Sequence, residues 1–212
     1  EDEKSYQKTN NVVVIPNPIE IPKEQALLEN KQVIAAGRIA PVKGFDQLIA
    51  AWQLVHQKQP DWQLHIYGDA YADTKEQLQK QIHESQLEDV VMFKESVNNI
   101  PEIMLDYSIY AMSSVTECFP MVLLEALSVG LPIVSYDCPN GPRHIITNAS
   151  DGLLVANQNP EALAEGLLNL IENEDLRKAM GKNAKINSSK FETVPVMQKW
   201  LGLYYELDNN KK

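Results

Sequence analysis

Short apolar runs that stop at glycine or a polar loop alternate along this chain with longer stretches of helical spacing, and that alternation constrains the fold more than any other feature. Val-Ile-Ala-Ala at residues 33–36 stops at Gly37, and residues 45–56 then place Phe45, Leu48, Ile49, Trp52 and Val55 on one helical face. The unit repeats. A strand at 62–67 stops at Gly68 and precedes a polar helix at 74–84, a strand follows at 90–93, and a short helix near 100–105 leads to a strand at 108–112. A helix after Pro120, strands at 133–136 and 153–155, and a helical tail at 160–172, 174–188 and 194–207 complete the pattern, with an opening strand expected at 12–15. About six strands joined through helices require right-handed crossovers into a mainly parallel sheet. The expected fold is therefore α/β, a Rossmann-like three-layer sandwich with a helical C-terminal tail.

Composition narrows the partners. The formal net charge of −10 excludes a general binder of nucleic acid or of a membrane surface, both of which need a basic field, so any phosphate must be held locally. Two cysteines, Cys118 and Cys138, make no disulfide framework and suit a reducing cytosol. No apolar run approaches the roughly 20 residues of a membrane span, and no signal peptide is recognisable. The chain begins with Glu in a polar stretch, 1–11, expected to be a frayed end, which suggests a segment of a longer protein.

Ligands of open α/β sheets sit at the carboxyl ends of the strands, so chemistry is sought in the strand-to-helix loops. In Gly37-Arg-Ile-Ala-Pro-Val-Lys-Gly44 two glycines bracket two cations on a turn that opens a helix. Arg38 offers a planar fork, Lys43 a mobile point charge, and the helix start adds amides, a combination suited to a diphosphate. The bland alternative is a pair of solvated surface charges. The second loop carries Glu117 and, eight positions on, Glu125, with Cys118, Phe119, Pro120, Met121 and Val122 directly after the first carboxylate. Pro120 suits the first helical position, which puts Glu117, the first-turn N–H groups of Met121 and Val122, and Glu125 around one turn. Glu125 is the sole charge on an otherwise apolar helix, and a buried carboxylate there needs hydroxyl donors. Alternatively Glu125 and Ser128 form the exposed stripe of an amphipathic helix, and Glu117 is an ordinary loop acid.

The string Ser-Val-Thr-Glu-Cys-Phe-Pro-Met-Val-Leu-Leu-Glu-Ala-Leu resembles the Glu-x7-Glu motif of retaining nucleotide-sugar glycosyltransferases, family four of the GT-B architecture, also called glycosyl transferases group 1. The Gly-Arg-x4-Lys-Gly loop resembles the same family's diphosphate segment, and the likeness runs from Val-Ile-Pro-Asn-Pro near residue 14 to a Trp-x3-Tyr helix near residue 204. The resemblance implies one half of such an enzyme: residues 12–190 as the nucleotide-sugar donor-binding domain and 191–212 as a crossover helix and tail. The missing N-terminal domain would hold a saccharide or lipid-linked acceptor, and this half alone would be inactive. By the same resemblance Arg38 and Lys43 stabilise the departing nucleoside diphosphate, Glu117 holds the hexose, and Glu125 fixes the ribose, so the catalytic set is Arg38, Lys43 and Glu117. Gly37 would let the diphosphate approach, while Ser96 or Val97 would touch the nucleobase, though that loop reads equally well as plain surface. Cys118 would line the sugar pocket or, on the bland account, be a small buried thiol.

UDP is the preferred nucleotide, with retention and an alpha product. Galactose-type or N-acetylhexosamine donors in surface polysaccharide or lipopolysaccharide assembly are favoured by the Gly-Pro-x-x-Ile-Ile segment, where His144 stands in place of the family's usual Glu. No cofactor and no metal are expected, because no His/Cys/Asp spacing suggests a metal site. The implied location is the cytoplasm, with the full-length protein peripheral at the inner membrane face. Two other functions remain open: a sugar-nucleotide epimerase of similar architecture, which would need an acid/base pair, and a non-catalytic nucleotide-binding regulatory domain.

Overall fold

The computed structural model of the chain describes residues 12–209. The stretch expected to be frayed, 1–11, lies outside the described residues. Six strands, β1 (Gln32–Ala36), β2 (Gln63–Tyr67), β3 (Val91–Lys94), β4 (Ile109–Met112), β5 (Ile133–Tyr136) and β6 (Gly152–Val155), form one sheet in the order β3-β2-β1-β4-β5-β6. All neighbours pair in parallel, with Val33 opposite both Leu64 and Ile109 at the centre. The order reverses between β1 and β4, which opens a crevice at the carboxyl ends of those two strands. Every residue of β4 and β5 is buried, as a parallel strand covered on both faces requires.

Helices α1 (Phe45–Lys58), α2 (Thr74–Glu84) and α6 (Pro160–Glu172) pack on one face. On the other lie α3 (Ile100–Met104), α4 (Met121–Ser128) and α7 (Glu174–Ser188), after which α8 (Thr193–Asn209) runs outward. The face predicted for α1 is the buried one: Phe45, Leu48, Ile49, Trp52 and Val55 all pack into the core. Burial of each such side chain contributes about 1.5–3 kcal/mol. Two long cations stitch the second layer. Arg177 donates to Leu28, Leu170 and Ile171 carbonyls, capping α6, and Lys185 donates to those of Pro22, Glu24 and Ser128, holding the end of α4 against the N-terminal segment.

The expected opening strand at 12–15 is not formed. Val13 and Val14 are 58% and 66% exposed, and the sheet's edges are β3 and β6, so this apolar run has no strand to pair with. Among the described residues the first backbone hydrogen bond into the fold is that of Ile19, whose N–H donates to the Phe191 carbonyl. The sequence reading also missed α5 (Pro142–Ile145), a single turn too short to carry periodicity. At α4, Pro120 is the cap residue with extended backbone (φ −71°, ψ 108°), and Met121 is the first helical residue.

Candidate functional site

A cleft of about 480 Å³ opens at the carboxyl ends of β1 and β2 and is closed by the loop and helix that follow β4. Of the twelve residues singled out from sequence, eleven line it: Gly37, Arg38, Lys43, Ser96, Val97, Glu117, Phe119, Pro120, Met121, Val122 and Glu125. The exception is Cys118. It is exposed and lines a separate cavity on the other side of Phe119, so the structure corrects both readings of it, as a sugar-pocket residue and as a buried thiol.

The two loops that build the cleft are joined to each other by backbone. Ser113 donates its hydroxyl to the Lys43 carbonyl at 2.9 Å, and the Val115 N–H donates to the Val42 carbonyl at 2.9 Å. Gly44 lies between them in the left-handed region (φ 60°), where a Cβ would come within 2.3 Å of the Ser113 carbonyl oxygen. No other residue fits. Glu117 is held from its far side as well, its N–H donating to the Pro139 carbonyl while its own carbonyl accepts from Asn140 and Gly141.

This framework brings Lys43 Nζ to 2.5 Å from Glu117 Oε1, with only 25% and 14% of the two side chains exposed. Ser114 donates to the same oxygen at 2.8 Å. The second oxygen, Oε2, has no partner among the described residues, which leaves it free to accept a ligand hydroxyl. Glu117 is therefore not an ordinary exposed loop acid. Arg38, by contrast, is exposed and its guanidinium makes no hydrogen bond or ion pair among the described residues, so its full fork is available to an anion. Gly37 keeps the intervening space open: a Cβ there would stand 3.4 Å from Lys43 Cε.

Across the cleft, no side chain caps α4, leaving the N–H groups of Met121 and Val122 for an anion, while that of Leu123 bonds the Pro120 carbonyl. Glu125 follows one turn on. It is half-buried, burial raises its carboxyl above the ordinary value, and no hydrogen bond reaches that carboxylate among the described residues. The exposed-stripe alternative fails because Ser128 is fully buried and donates to the Glu125 carbonyl. Glu125 is thus a desolvated acceptor without donors, an arrangement a diol would satisfy.

The outer end of the cleft adds residues that sequence reasoning passed over. Tyr67, Gly68, Asp69 and Ile100 line it beside Ser96 and Val97, and Asp69 accepts a 2.7 Å bond from the Ser96 hydroxyl. The available signal was the Gly68-Asp69 end of β2, the strand adjacent to the Arg38 loop in a 3-2-1-4 order. Below the cleft, Tyr110 donates to the Ala36 carbonyl and accepts from its N–H, locking the end of β1. The Cys138 thiol is buried and pushed up to about 11, first by that burial and then by the charge of Glu117, which makes it a poor nucleophile. Among the described residues no group of three His, Cys, Asp or Glu side chains could hold a metal ion, and no helix is long and apolar enough to cross a membrane.

Comparison with known proteins follows this geometry. The sequence profile of Glycosyl transferases group 1 matches residues 17–187. An uncharacterized glycosyltransferase of Haemophilus influenzae is 34% identical over 92% of this chain and 56% of its own length. A poly(ribitol-phosphate) alpha-N-acetylglucosaminyltransferase of Staphylococcus aureus is 27% identical over 92% of this chain and 39% of its own. Among solved structures, a mutant of S. aureus TarM in complex with fondaparinux, alpha-GlcNAc-glycerol and UDP superposes with a TM-score of 0.85 at 28% identity, covering 96% of this chain and 41% of that one. The chain thus spans about half the length, or less, of the relatives it matches.

Proposed function

This chain belongs to the glycosyl transferases group 1 family, and from that premise we propose that its cleft binds a nucleoside-diphosphate sugar, with UDP as the nucleotide, as the donor half of a retaining hexosyltransferase. The carrying observation is one cleft that combines an unpartnered Arg38, an ion-paired Lys43–Glu117 couple and an unsatisfied, half-buried Glu125. Arg38 and Lys43, with the first amides of α4, meet the charge that grows on the departing diphosphate, which lowers the barrier electrostatically. Glu125 accepts from the ribose diol. Glu117, steadied by Lys43 and Ser114, holds the hexose through its second oxygen, and Ser96 and Val97 after β3 meet the base together with Asp69 after β2.

UDP and an alpha-linked product are supported by the UDP and alpha-GlcNAc-glycerol in the TarM complex and by the name of the S. aureus relative. The acceptor is a saccharide or a lipid-linked saccharide, bound with the help of an N-terminal domain; the N-acetylhexosamine and galactose-type sugars are the preferred donors. This chain alone binds donor and does not turn it over. The test is calorimetric titration with UDP, ADP, GDP and their sugars, which should reveal selective binding of UDP and its sugars. A folded chain that binds none of them up to millimolar concentration refutes the donor-site reading, and robust glycosyl transfer by it refutes the half-enzyme reading.

A further inference from the structure

The second cavity, about 500 Å³, lies on the opposite side of the Glu117–Pro120 loop and shares Phe119 with the donor cleft. In a chain of net charge −10 it is lined by Lys190, Lys199 and His144 and by no carboxylate. None of the three forms an ion pair among the described residues; Lys190 lies over the Phe191 ring at 5.0 Å. Two acids in the neighbouring segments hold hydrogen-bond partners, although Asp151 also feels the charge of Lys190. Asp137 takes two bonds from Arg143, and Asp151 accepts from the Thr147 N–H and the Asn187 amide. Val14, Ile15, Phe119 and Phe191 supply an apolar side.

We infer that this cavity receives a phosphate-bearing part of the acceptor. The step rests on the donor reading above: with the hexose held at Glu117, an acceptor seated here shares the Phe119 wall with the donor cleft. Lys190 and Lys199 provide the charge, His144 and the Asn140 amide the directed donors, and the apolar wall takes the group to which the phosphate is esterified. That group is either a polyol phosphate or a lipid phosphate. The shared chemistry is the phosphate monoanion or dianion.

The experiment uses the full chain saturated with UDP, so that the Arg38–Lys43 seat is occupied, and follows amide shifts on adding glycerol phosphate or dodecyl phosphate. The expected result is saturable shifts at Cys118, Asn140, His144 and Phe191. In Lys190→Gln/Lys199→Gln the affinity for the phosphate probe should fall by about tenfold. UDP affinity in that variant should stay within about twofold, because neither lysine lines the donor cleft. A stronger response to dodecyl phosphate marks a lipid phosphate as the source, and one to glycerol phosphate marks a polyol phosphate. Normal UDP binding with no response to either probe, or a response unchanged in the double variant, overturns the inference. Failure of UDP to bind would instead strike the donor reading.

Discussion

Arg38 and Lys43 sit on one loop and serve one proposed anion, yet the structure makes their alanine variants fail differently. Arg38 is exposed and unpartnered among the described residues, so Arg38→Ala should alter folding stability by no more than about 0.5 kcal/mol. It removes a forked, charge-assisted contact to the diphosphate worth about 1.5–3 kcal/mol, a loss of roughly 10- to 150-fold in UDP affinity. Lys43→Ala strips the partner from a Glu117 side chain that is 14% exposed. Breaking a fully buried pair costs about 3–5 kcal/mol, but here the Ser114 hydroxyl remains and water reaches part of both groups, which brings the expected loss to about 1–2 kcal/mol. For a chain of this size that is a fall in Tm of about 2–8 °C, against about 2 °C or less for Arg38→Ala. Because Lys43 must share its charge between Glu117 and the ligand, Lys43→Ala loses affinity and stability together, and the double variant Lys43→Met/Glu117→Gln should recover stability without recovering UDP binding. Calorimetry and thermal unfolding on the same preparations separate the two quantities. The reasoning is refuted if Arg38→Ala binds UDP within a factor of two of the parent chain, or if it destabilises the fold as much as Lys43→Ala does.

Further outcomes follow from single observations. Burial raises the Glu125 carboxyl, so it takes up its proton at a higher pH than an exposed Glu; UDP affinity should fall on acidification through that raised value, and Glu125→Gln should bind weakly with that limb absent in calorimetry across pH. Gly44→Ala should cost more than about 2 kcal/mol in denaturant unfolding, because both its left-handed backbone and the Ser113 carbonyl reject a Cβ. His65 is held neutral, down to about 4 from 6.5, by burial and then by Lys94. Its folded value lies below its unfolded one, so stability present above about pH 6.5 is lost as pH falls towards 4, by up to a few kcal/mol, and His65→Leu should flatten that limb of the acid unfolding curve.

The sheet was legible because each strand ends at a local signal and each helix presents a face. Residues 74–84, 160–172 and 174–188 coincide with the observed helices for that reason. Residues 12–15 carry the same apolar signal as a strand but have no neighbour, and pairing is a tertiary fact that composition does not encode. In the site, chain order alone brought out the cations and the two carboxylates, since each follows a strand that ends in the crevice. What it could not supply was which side of the Glu117 loop each residue faces. Cys118 and Phe119 are consecutive, yet Cys118 lines only the second cavity, while Phe119 lines both. Tyr67 and Asp69 were missed because their role depends on β2 lying next to β1, and no residue in either strand announces that neighbour.

The way the cleft is assembled also bears on what this chain can do by itself. The loop after β1 and the loop after β4 are 74 residues apart at Lys43 and Glu117, yet they are joined by the Ser113–Lys43 and Val115–Val42 bonds, by the Gly44 contact and by the ion pair. Glu117 is in turn paired through its backbone to Asn140, before α5. Every group assigned to the diphosphate, ribose and hexose is thus fixed by contacts within this chain, so little ordering entropy remains to be lost when a nucleotide binds. The second cavity differs. One wall is Val14 to Asn17, which belong to no helix or strand, and another is α8, whose Met197, Trp200, Leu201, Tyr204 and Tyr205 are exposed. A preorganised donor seat beside an acceptor seat with loosely anchored walls predicts that the chain binds UDP with the affinity expected of a complete enzyme but binds acceptor phosphate weakly until those walls are held. Adding the proposed N-terminal domain should therefore tighten the phosphate probe far more than it tightens UDP.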